Sequence, residues 1–366
     1  MSHNHPHHDH EHTEHIHPHP HNHQRHVEAT DNTPAQLHQV PIKKLSLSRR
    51  EFCHISLVGL GTAVLAACGT SAIQKQGLST LATTTSVPAS TASIPGFDAF
   101  RKSVTIHADS SHFFVESYGI PDHQMMVGIR SWQQQVPTPQ PYTGTNAWQI
   151  PLKGVLSDHP VSGRTALYRG AIALAVNGVP IFNALNNRGD DSYLSGELDK
   201  WGGHCGRADD YHYHIAPLSL QSIVGQQAPI AYGLDGFPLY GLTEPDGSVV
   251  TRLDSYNGHM DAKGNYHYHA TMTYPYINGG MRGNVNVVGD QVDPQPQASP
   301  IRSFLQPLNG ATITDFAITN ANTYTLTYEL NGQAYTITYV IRGNSYTFTF
   351  TDPSGQSKTE TYTRHA

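Results

Sequence analysis

Apolar and polar positions alternate over short segments through the part of the chain that follows residue 96, and turn residues separate these segments. The alternation is clearest in residues 324–328, 335–339 and 346–350, where Thr alternates with Tyr and other apolar residues. Asn331-Gly332 and Gly343-Asn344 lie between them and are typical of tight hairpin turns. The pattern predicts a small β-meander domain over residues 301–366.

A second pattern is an internal repeat in the preceding segment. Residues 172–182 match residues 230–240 at four of eleven positions, and residues 203–214 match residues 258–269 at six of twelve. The offsets are 58 and 55, so one gap of three residues reconciles both matches. Because the apolar runs are short and no long helical period lies between them, we predict a mostly β fold. Residues 96–290 are expected to form two pseudo-equivalent β halves, arranged as a sandwich or a barrel.

Composition and charge narrow the class of protein. Of the 366 residues, 37% are hydrophobic, which excludes wholesale disorder. The formal net charge of -6 and the lack of a basic stripe exclude nucleic acid as a partner. Twelve of the 25 His residues fall within the first 26 positions. We predict a His-rich cytoplasmic extension over residues 1–47, which is either a metal reservoir or a tail without a role.

The segment after this extension has the features of an export signal. Arg49 and Arg50 precede an apolar run that ends in Leu-Ala-Ala-Cys at Cys68. The Arg pair resembles a twin-arginine signal, and the last four residues resemble a lipobox whose Cys is acylated. We therefore expect a signal peptide over residues 48–67 and a Ser/Thr-rich tether over residues 68–95. The protein would be exported to the cell envelope or periplasm, with the membrane as a partner through the lipid anchor.

Candidate chemistry lies in the repeat. Each copy contains Gly-His, a sulfur residue, a polar turn and then Tyr-His-Tyr-His. Side chains two residues apart on a strand lie on the same face, about 7 Å apart, so each His-x-His pair can converge on one metal ion. We expect the polar turn to fold the upstream His and sulfur residue over that pair. The predicted metal ligands are His204, Cys205, His212 and His214 in the first copy, and His259, Met260, His267 and His269 in the second.

The residue types favour particular metals. Imidazole together with a thiolate or thioether suits transition metals, copper better than zinc, and suits calcium or magnesium poorly. The spacing leaves open whether the copies form two separate sites, share one site, or include one degenerate copy.

The Tyr-His-Tyr-His motif, the upstream Gly-His and the block Asp235-Gly-Phe-Pro-Leu-Tyr-Gly241 resemble the YHYH domain family over residues 120–285. The resemblance implies an extracytoplasmic setting and names no reaction. We therefore expect an exported, lipid-anchored protein that binds copper or zinc. A metalloenzyme, an oxidoreductase or a hydrolase that uses the same His cluster, is one alternative. A cell-surface structural or interaction protein without metal is the other. Small-molecule or protein partners and the role of the meander remain open.

Overall fold

The computed structural model describes residues 93–364. Four predicted features lie wholly or almost wholly outside the described residues: the His-rich extension, the signal peptide with Arg49 and Arg50, the acylation site Cys68 and the tether. The strands that it contains are β1 (Val104–Ala108), β2 (His112–Ser117), β3 (Trp148–Pro151), β4 (Leu156–Ser162), β5 (Ala171–Ala175), β6 (Pro180–Phe182), β7 (Gly203–Cys205), β8 (Tyr211–Tyr213), β9 (Ala231–Gly233), β10 (Pro238–Tyr240), β11 (Gly258–Met260), β12 (Tyr266–His269), β13 (Gly280–Gly283), β14 (Asn286–Val288), β15 (Gln291–Asp293), β16 (Thr312–Asn320), β17 (Thr323–Leu330), β18 (Gln333–Arg342), β19 (Ser345–Thr351) and β20 (Ser357–Thr363).

Helical segments are short in this part of the chain. They are the α-helix α1 (Gln221–Val224) and the 3-10 turns Phe97–Phe100, Gly144–Asn146 and Leu218–Leu220. Among the described residues, no helix is long and apolar enough to span a membrane. The prediction of a mostly β fold is confirmed.

The repeat forms one eight-stranded sheet with the order β11-β12-β10-β9-β5-β6-β8-β7. In each half an antiparallel hairpin (β5-β6 or β9-β10) is followed by a strand that pairs in parallel with the second hairpin strand. An outer antiparallel strand completes each half. The halves meet where β5 pairs with β9, with Leu174 opposite Tyr232. The two predicted halves are therefore present, and no sheet within residues 93–364 closes into a barrel.

Two equivalent turns set the inner hairpins. Gly178 and Gly236 follow Asn177 and Asp235, and both glycines have a positive φ, +82° and +87°. A Cβ at Gly178 would lie 2.6 Å from the Ser117 Cβ, and one at Gly236 would lie 2.7 Å from the Pro151 carbonyl oxygen. Only glycine fits such a turn, because both the backbone angle and the neighbouring atoms exclude a side chain. The repeated Asn/Asp-Gly pair therefore fixes where each half folds back.

The centre of this sheet is buried. All five residues of β5 are buried, and the three-stranded antiparallel sheet β1-β2-β3 packs nearby. Phe113 of that sheet meets Tyr232 of β9 edge to face, with 5.4 Å between ring centroids. Aromatic pairs of this kind add to the stabilisation from buried apolar area. The core positions the outer strands of the large sheet, which carry the His residues.

Strands β16–β20 form the predicted meander, with neighbouring strands antiparallel throughout. Its apolar residues alternate onto one buried face, while Thr hydroxyls pair across the other face, as between Thr347 and Thr361 at 3.3 Å. The meander packs on the repeat domain. Arg302, which precedes it, donates to the Asp209 carboxylate at 2.7 Å, and the Tyr339 hydroxyl donates to the Pro137 carbonyl.

Candidate metal centres

The first His cluster, site A, consists of His204, His212 and His214. In the outer hairpin His204 of β7 lies directly opposite His212 of β8. His214 lies two residues further along, on the same face as His212. One nitrogen of each ring falls within 4.8 Å of the others, and the Nε2 atoms of His204 and His214 are 3.0 Å apart. Strand register therefore brings together the three His residues that the sequence predicts for this copy.

The second cluster, site B, consists of Glu244, His259, His267 and His269. His259 of β11 lies opposite His267 of β12, and their Nε2 atoms are 3.1 Å apart. The pairing repeats that of site A. Because β7 and β11 are the two edge strands of the eight-stranded sheet, sites A and B are separate. The alternative of one site shared between the copies is wrong.

Glu244 is the residue that sequence reasoning missed. Its carboxylate oxygens lie 3.0 Å from the His259 Nε2, 3.2 Å from the His267 Nε2 and 3.3 Å from the His269 Nε2. Strand β10 pairs in parallel with β12, so the loop that follows β10 lies beside the end of the Tyr-His-Tyr-His strand. In sequence, Glu244 belongs to a Glu-Pro-Asp-Gly turn, which is typical of a solvated loop.

Alignment of the two copies is the sequence signal that bears on Glu244, because it shows that the copies differ at this position. At the offset of 58 residues, Glu244 corresponds to Asn186. The two begin equivalent turns, since the Asn186 N–H donates to the Asp190 carbonyl at 2.8 Å and the Glu244 N–H donates to the Ser248 carbonyl at 3.0 Å. The two sites therefore share a scaffold and differ at this residue.

Backbone carbonyls orient the imidazole rings. The Nδ1–H groups of His214 and His269 donate to the equivalent carbonyls of Asn183 and Gly241, at 2.5 and 3.0 Å. The Nδ1–H of His212 donates to the Asp210 carbonyl at 3.0 Å. His259 makes the same kind of bond with the Thr251 carbonyl at 2.9 Å. A His that donates from Nδ1 has a free lone pair on Nε2, the arrangement of metal-bound His in proteins.

Burial disfavours the protonated form of His204, His214 and His269. It lowers the pKa of His214 to about 3, with a further lowering by the neighbouring His212. It also lowers the pKa of His204 well below its usual value, assisted by His214 and His212. In site B burial lowers the pKa of His269. Neutral imidazoles at pH 7 are able to donate lone pairs to a metal ion without first releasing a proton.

The sulfur residues do not join the clusters. Cys205 lies opposite Tyr211 and Met260 lies opposite Tyr266. Each follows a clustered His on the same strand, so its side chain takes the other face. Cys205 is buried, burial raises the pKa of its thiol well above the usual value, and it is absent from the ligand group of site A. The Met260 side chain is 49% exposed.

The Gly and Tyr residues that precede the clustered His residues are identical in the two copies, and they help to position the rings. The hydroxyls of Tyr211 and Tyr266 donate to Asp199 and Asp254, at 2.8 and 2.9 Å. A Cβ at Gly203 would lie 2.5 Å from the Tyr211 hydroxyl oxygen, and one at Gly258 would lie 2.1 Å from that of Tyr266. The same carboxylates accept backbone N–H groups from the strand that carries the upstream His. This network holds that His over the Tyr-His-Tyr-His strand.

Site A opens into a cavity of about 450 Å³. All three His residues line it, and the His212 ring stacks on Phe182 with 3.9 Å between centroids. Among the described residues, the charged ones that line the cavity are Arg130, Arg169, Arg188, Arg207 and Glu197. Glu197 is not within ligand distance of the three His nitrogens. Site A therefore has three candidate protein ligands and an open side, whereas site B has four.

Comparison with known proteins gives one match. The family model described as YHYH protein matches residues 147–250. The match includes the first Tyr-His-Tyr-His motif, the Asp235–Gly241 block and Glu244, and ends before the second motif. This segment is therefore a YHYH domain, as the motif predicts. No curated protein matches the chain, and no solved structure matches it.

Proposed function

We propose that this protein is an exported, lipid-anchored metal-binding protein that holds one transition-metal ion in site A and one in site B. The observation that carries the proposal is the convergence of Nε2 atoms in both halves of the sheet. Two Nε2 atoms that lie 3.0 Å apart share at most one hydrogen bond. The Nε2 lone pairs of the cluster that this bond does not use are suited to bind a cation. A tetrahedral ion with bonds of 2.0–2.1 Å separates its ligand atoms by about 3.3 Å. The shortest contact in site A is 3.0 Å, the contacts of Glu244 and the His259–His267 contact in site B span 3.0–3.3 Å, and all candidate ligand atoms of each site lie within 4.8 Å of one another.

The donor atoms restrict the metal. Three imidazoles, with or without a carboxylate, suit zinc and copper(II), and they suit calcium and magnesium poorly. The sulfur atoms that favoured copper from the sequence lie outside both clusters. The preference for copper over zinc therefore has no support from these ligands, and the proposal is for either of the two metals.

The ligand count favours different roles for the sites. Site B has four donors, the number that fills a tetrahedral structural zinc site. Site A has three donors and adjoins the cavity, which is the composition of catalytic zinc sites in which water or substrate takes the fourth position. The cavity is the observation that favours a metalloenzyme as the second candidate function, with site A as its centre.

Elemental analysis of four purified proteins tests the proposal. The full chain is compared with H212A/H214A, with H267A/H269A, and with the control H107A/H112A, whose His residues lie on β1 and β2 away from both sites. The metal that the N-terminal His tract binds is the same in all four and cancels in the differences. We expect each site variant to lose about one equivalent of zinc or copper and the control to lose none. Equal metal content in all four proteins would refute both sites.

Anchorage rests on the sequence of the leader and is tested separately. We expect the full chain to fractionate with membranes and to be released by detergent, and C68S to remain in the soluble fraction. A lysine replacement of both Arg49 and Arg50 should leave the chain unprocessed in the cytoplasm. A C68S variant that still fractionates with membranes would contradict the lipid anchor and would leave the metal sites unaffected.

A further inference from the structure

We propose that the cavity of site A binds a small anionic compound whose carboxylate or phosphate groups lie between the bound metal and the arginines that line the cavity. This inference rests on the proposed function, because the metal supplies part of the positive charge. It adds the chemical class of the ligand.

Most of the positive charge around the cavity is available to a ligand. Arg188 is committed to protein carboxylates, since it contacts Glu197 and lies 3.0 Å from Asp190. Within residues 93–364, Arg130, Arg169 and Arg207 make no ion pair. The Arg207 guanidinium lies over the Phe304 ring at 4.9 Å. This contact uses a face of the guanidinium plane, whereas the N–H groups that bind an oxyanion point out from its edge. After Glu197 is balanced by Arg188, the lining has an excess of three positive charges.

The metal adds to this excess in site A. Imidazole binds a metal ion as a neutral ligand, so a divalent ion held by three His residues would keep its full charge in site A, whereas Glu244 would offset part of that charge in site B. The chain as a whole has a formal charge of -6, so a cavity lined by cations is a local region of positive potential that attracts anions. Guanidinium groups bind carboxylate and phosphate through two parallel hydrogen bonds. Anionic ligands are therefore the class that this lining favours.

The repeat supplies an internal comparison. Arg188 corresponds to Asp246 at the offset of 58 residues, and Arg207 corresponds to Ala262 at the offset of 55. The His residues and the Tyr–Asp contacts are the same in both halves, but these arginines are not. They are therefore unnecessary for building a His cluster on this scaffold. The cavity volume of about 450 Å³ is within the range of small-molecule sites, so the ligand is a compound and not a polymer.

The test uses the copper-loaded full chain, with citrate and inorganic phosphate as probes and their trimethyl esters as neutral controls. Calorimetry measures affinity, and the part of the visible copper band that is absent from H212A/H214A reports binding near site A. We expect the anions to bind and the esters not to bind. R169Q and R207Q should each weaken binding by about tenfold, the loss of one charge-assisted hydrogen bond. The control R342Q, on the meander strand β18, should bind like the parent.

Two outcomes separate this inference from the proposed function. If H212A/H214A loses no metal, site A is not a metal site and the proposed function fails. If site A holds metal but R169Q and R207Q bind anions as tightly as the parent, or the esters bind equally well, the anion inference is wrong and the metal site remains. Anion binding that persists in H212A/H214A would also overturn the inference, because it would place the anion elsewhere.

Discussion

Removing the carboxylate at position 244 and introducing one at position 186 should exchange the character of the two sites. The perturbation consists of E244Q in site B and N186E in site A, with N186Q as the control of equal length and no charge. Glu244 contacts all three His nitrogens of site B. Asn186 starts the equivalent turn in site A and is buried. If the carboxylate is a ligand, its removal weakens site B, and its introduction supplies a fourth ligand to site A.

The expected loss of metal affinity follows from the typical contribution of residues around a metal ion. Loss of an outer-shell partner alone reduces metal affinity by about 10–100-fold, so loss of a directly contacting carboxylate should cost at least about 100-fold. At saturating metal, a 100-fold loss removes about 2.7 kcal/mol from the metal-dependent part of the free energy of unfolding. N186E should gain a similar amount relative to N186Q. In the parent, the Asn186 Oδ1 accepts hydrogen bonds from the backbone N–H groups of Arg188 and Asp190, at 2.9 and 3.1 Å. Because N186E and N186Q both lengthen this side chain and disturb these bonds, the comparison between them isolates the effect of the carboxylate charge.

The assay is urea unfolding of each variant with a chelator and with a fixed excess of zinc, combined with competition for zinc by a chromophoric chelator. The background H212A/H214A isolates site B, and H267A/H269A isolates site A. We also expect N186E to lose anion binding, since its carboxylate fills the position that the ligand would take. If E244Q binds zinc in site B as tightly as the parent, Glu244 is not a ligand and the distinction between a filled and an open site is refuted.

Three further predictions concern the ligands, the packing of the meander and pH. C205A should keep the metal content of the parent and lose only about 1 kcal/mol of stability, because less apolar surface is buried. H204A should lose one equivalent of metal. A loss of metal in C205A would place the thiol in site A. D209N should lower the free energy of unfolding in urea by about 3–5 kcal/mol, because it leaves Arg302 buried and unpaired. D209L/R302M should recover most of that loss. An unchanged free energy of unfolding in D209N would contradict the stabilising role of the ion pair. Because burial lowers the pKa values of His204 and His214 in the folded state, the unfolded chain binds more protons below pH 6.5. The metal-free protein should therefore lose stability as the pH falls from 6.5 towards 3. H214Q should reduce this slope by about 1.4 kcal/mol per pH unit, and an unchanged slope in H214Q would contradict the role of that buried ring.

Local rules were sufficient to predict the scaffold. The Asn177-Gly178 and Asp235-Gly236 turns define hairpins in any β context, and the alternation of Tyr and His fixes which residues share a face. The register that places His204 opposite His212 follows from the tight outer hairpin. What the sequence could not supply is the junction of β5 with β9, since contact between two buried, purely apolar strands has no pattern of its own. That junction turns two halves into one sheet and places their sites at opposite edges.

The positions of Cys205 and Met260 differ from the prediction because of strand geometry. The prediction depends on the turn between the sulfur residue and the Tyr-His-Tyr-His strand, which would fold both the upstream His and the sulfur residue over that strand. In the structure both lie on a strand, so consecutive residues take opposite faces. His204 and Cys205 therefore cannot both contact the same ion without a break in the strand.

The residues that distinguish the two sites lie in loops, and this explains why they were not predicted. Asn186 and Glu244 follow the second hairpin strands, and Arg188 and Arg207 also lie in connecting turns. A charged residue in a turn is normally solvated, so its type alone gives no reason to place it at a site. The parallel pairing of β6 with β8 and of β10 with β12 brings these turns beside the His strands. Both halves of the repeat therefore keep the same framework of Tyr–Asp contacts and Gly-His residues, while the loops determine the charge around each His cluster. The loop of the second copy adds a carboxylate to its cluster. The loops of the first copy leave one side of its cluster open and positively charged.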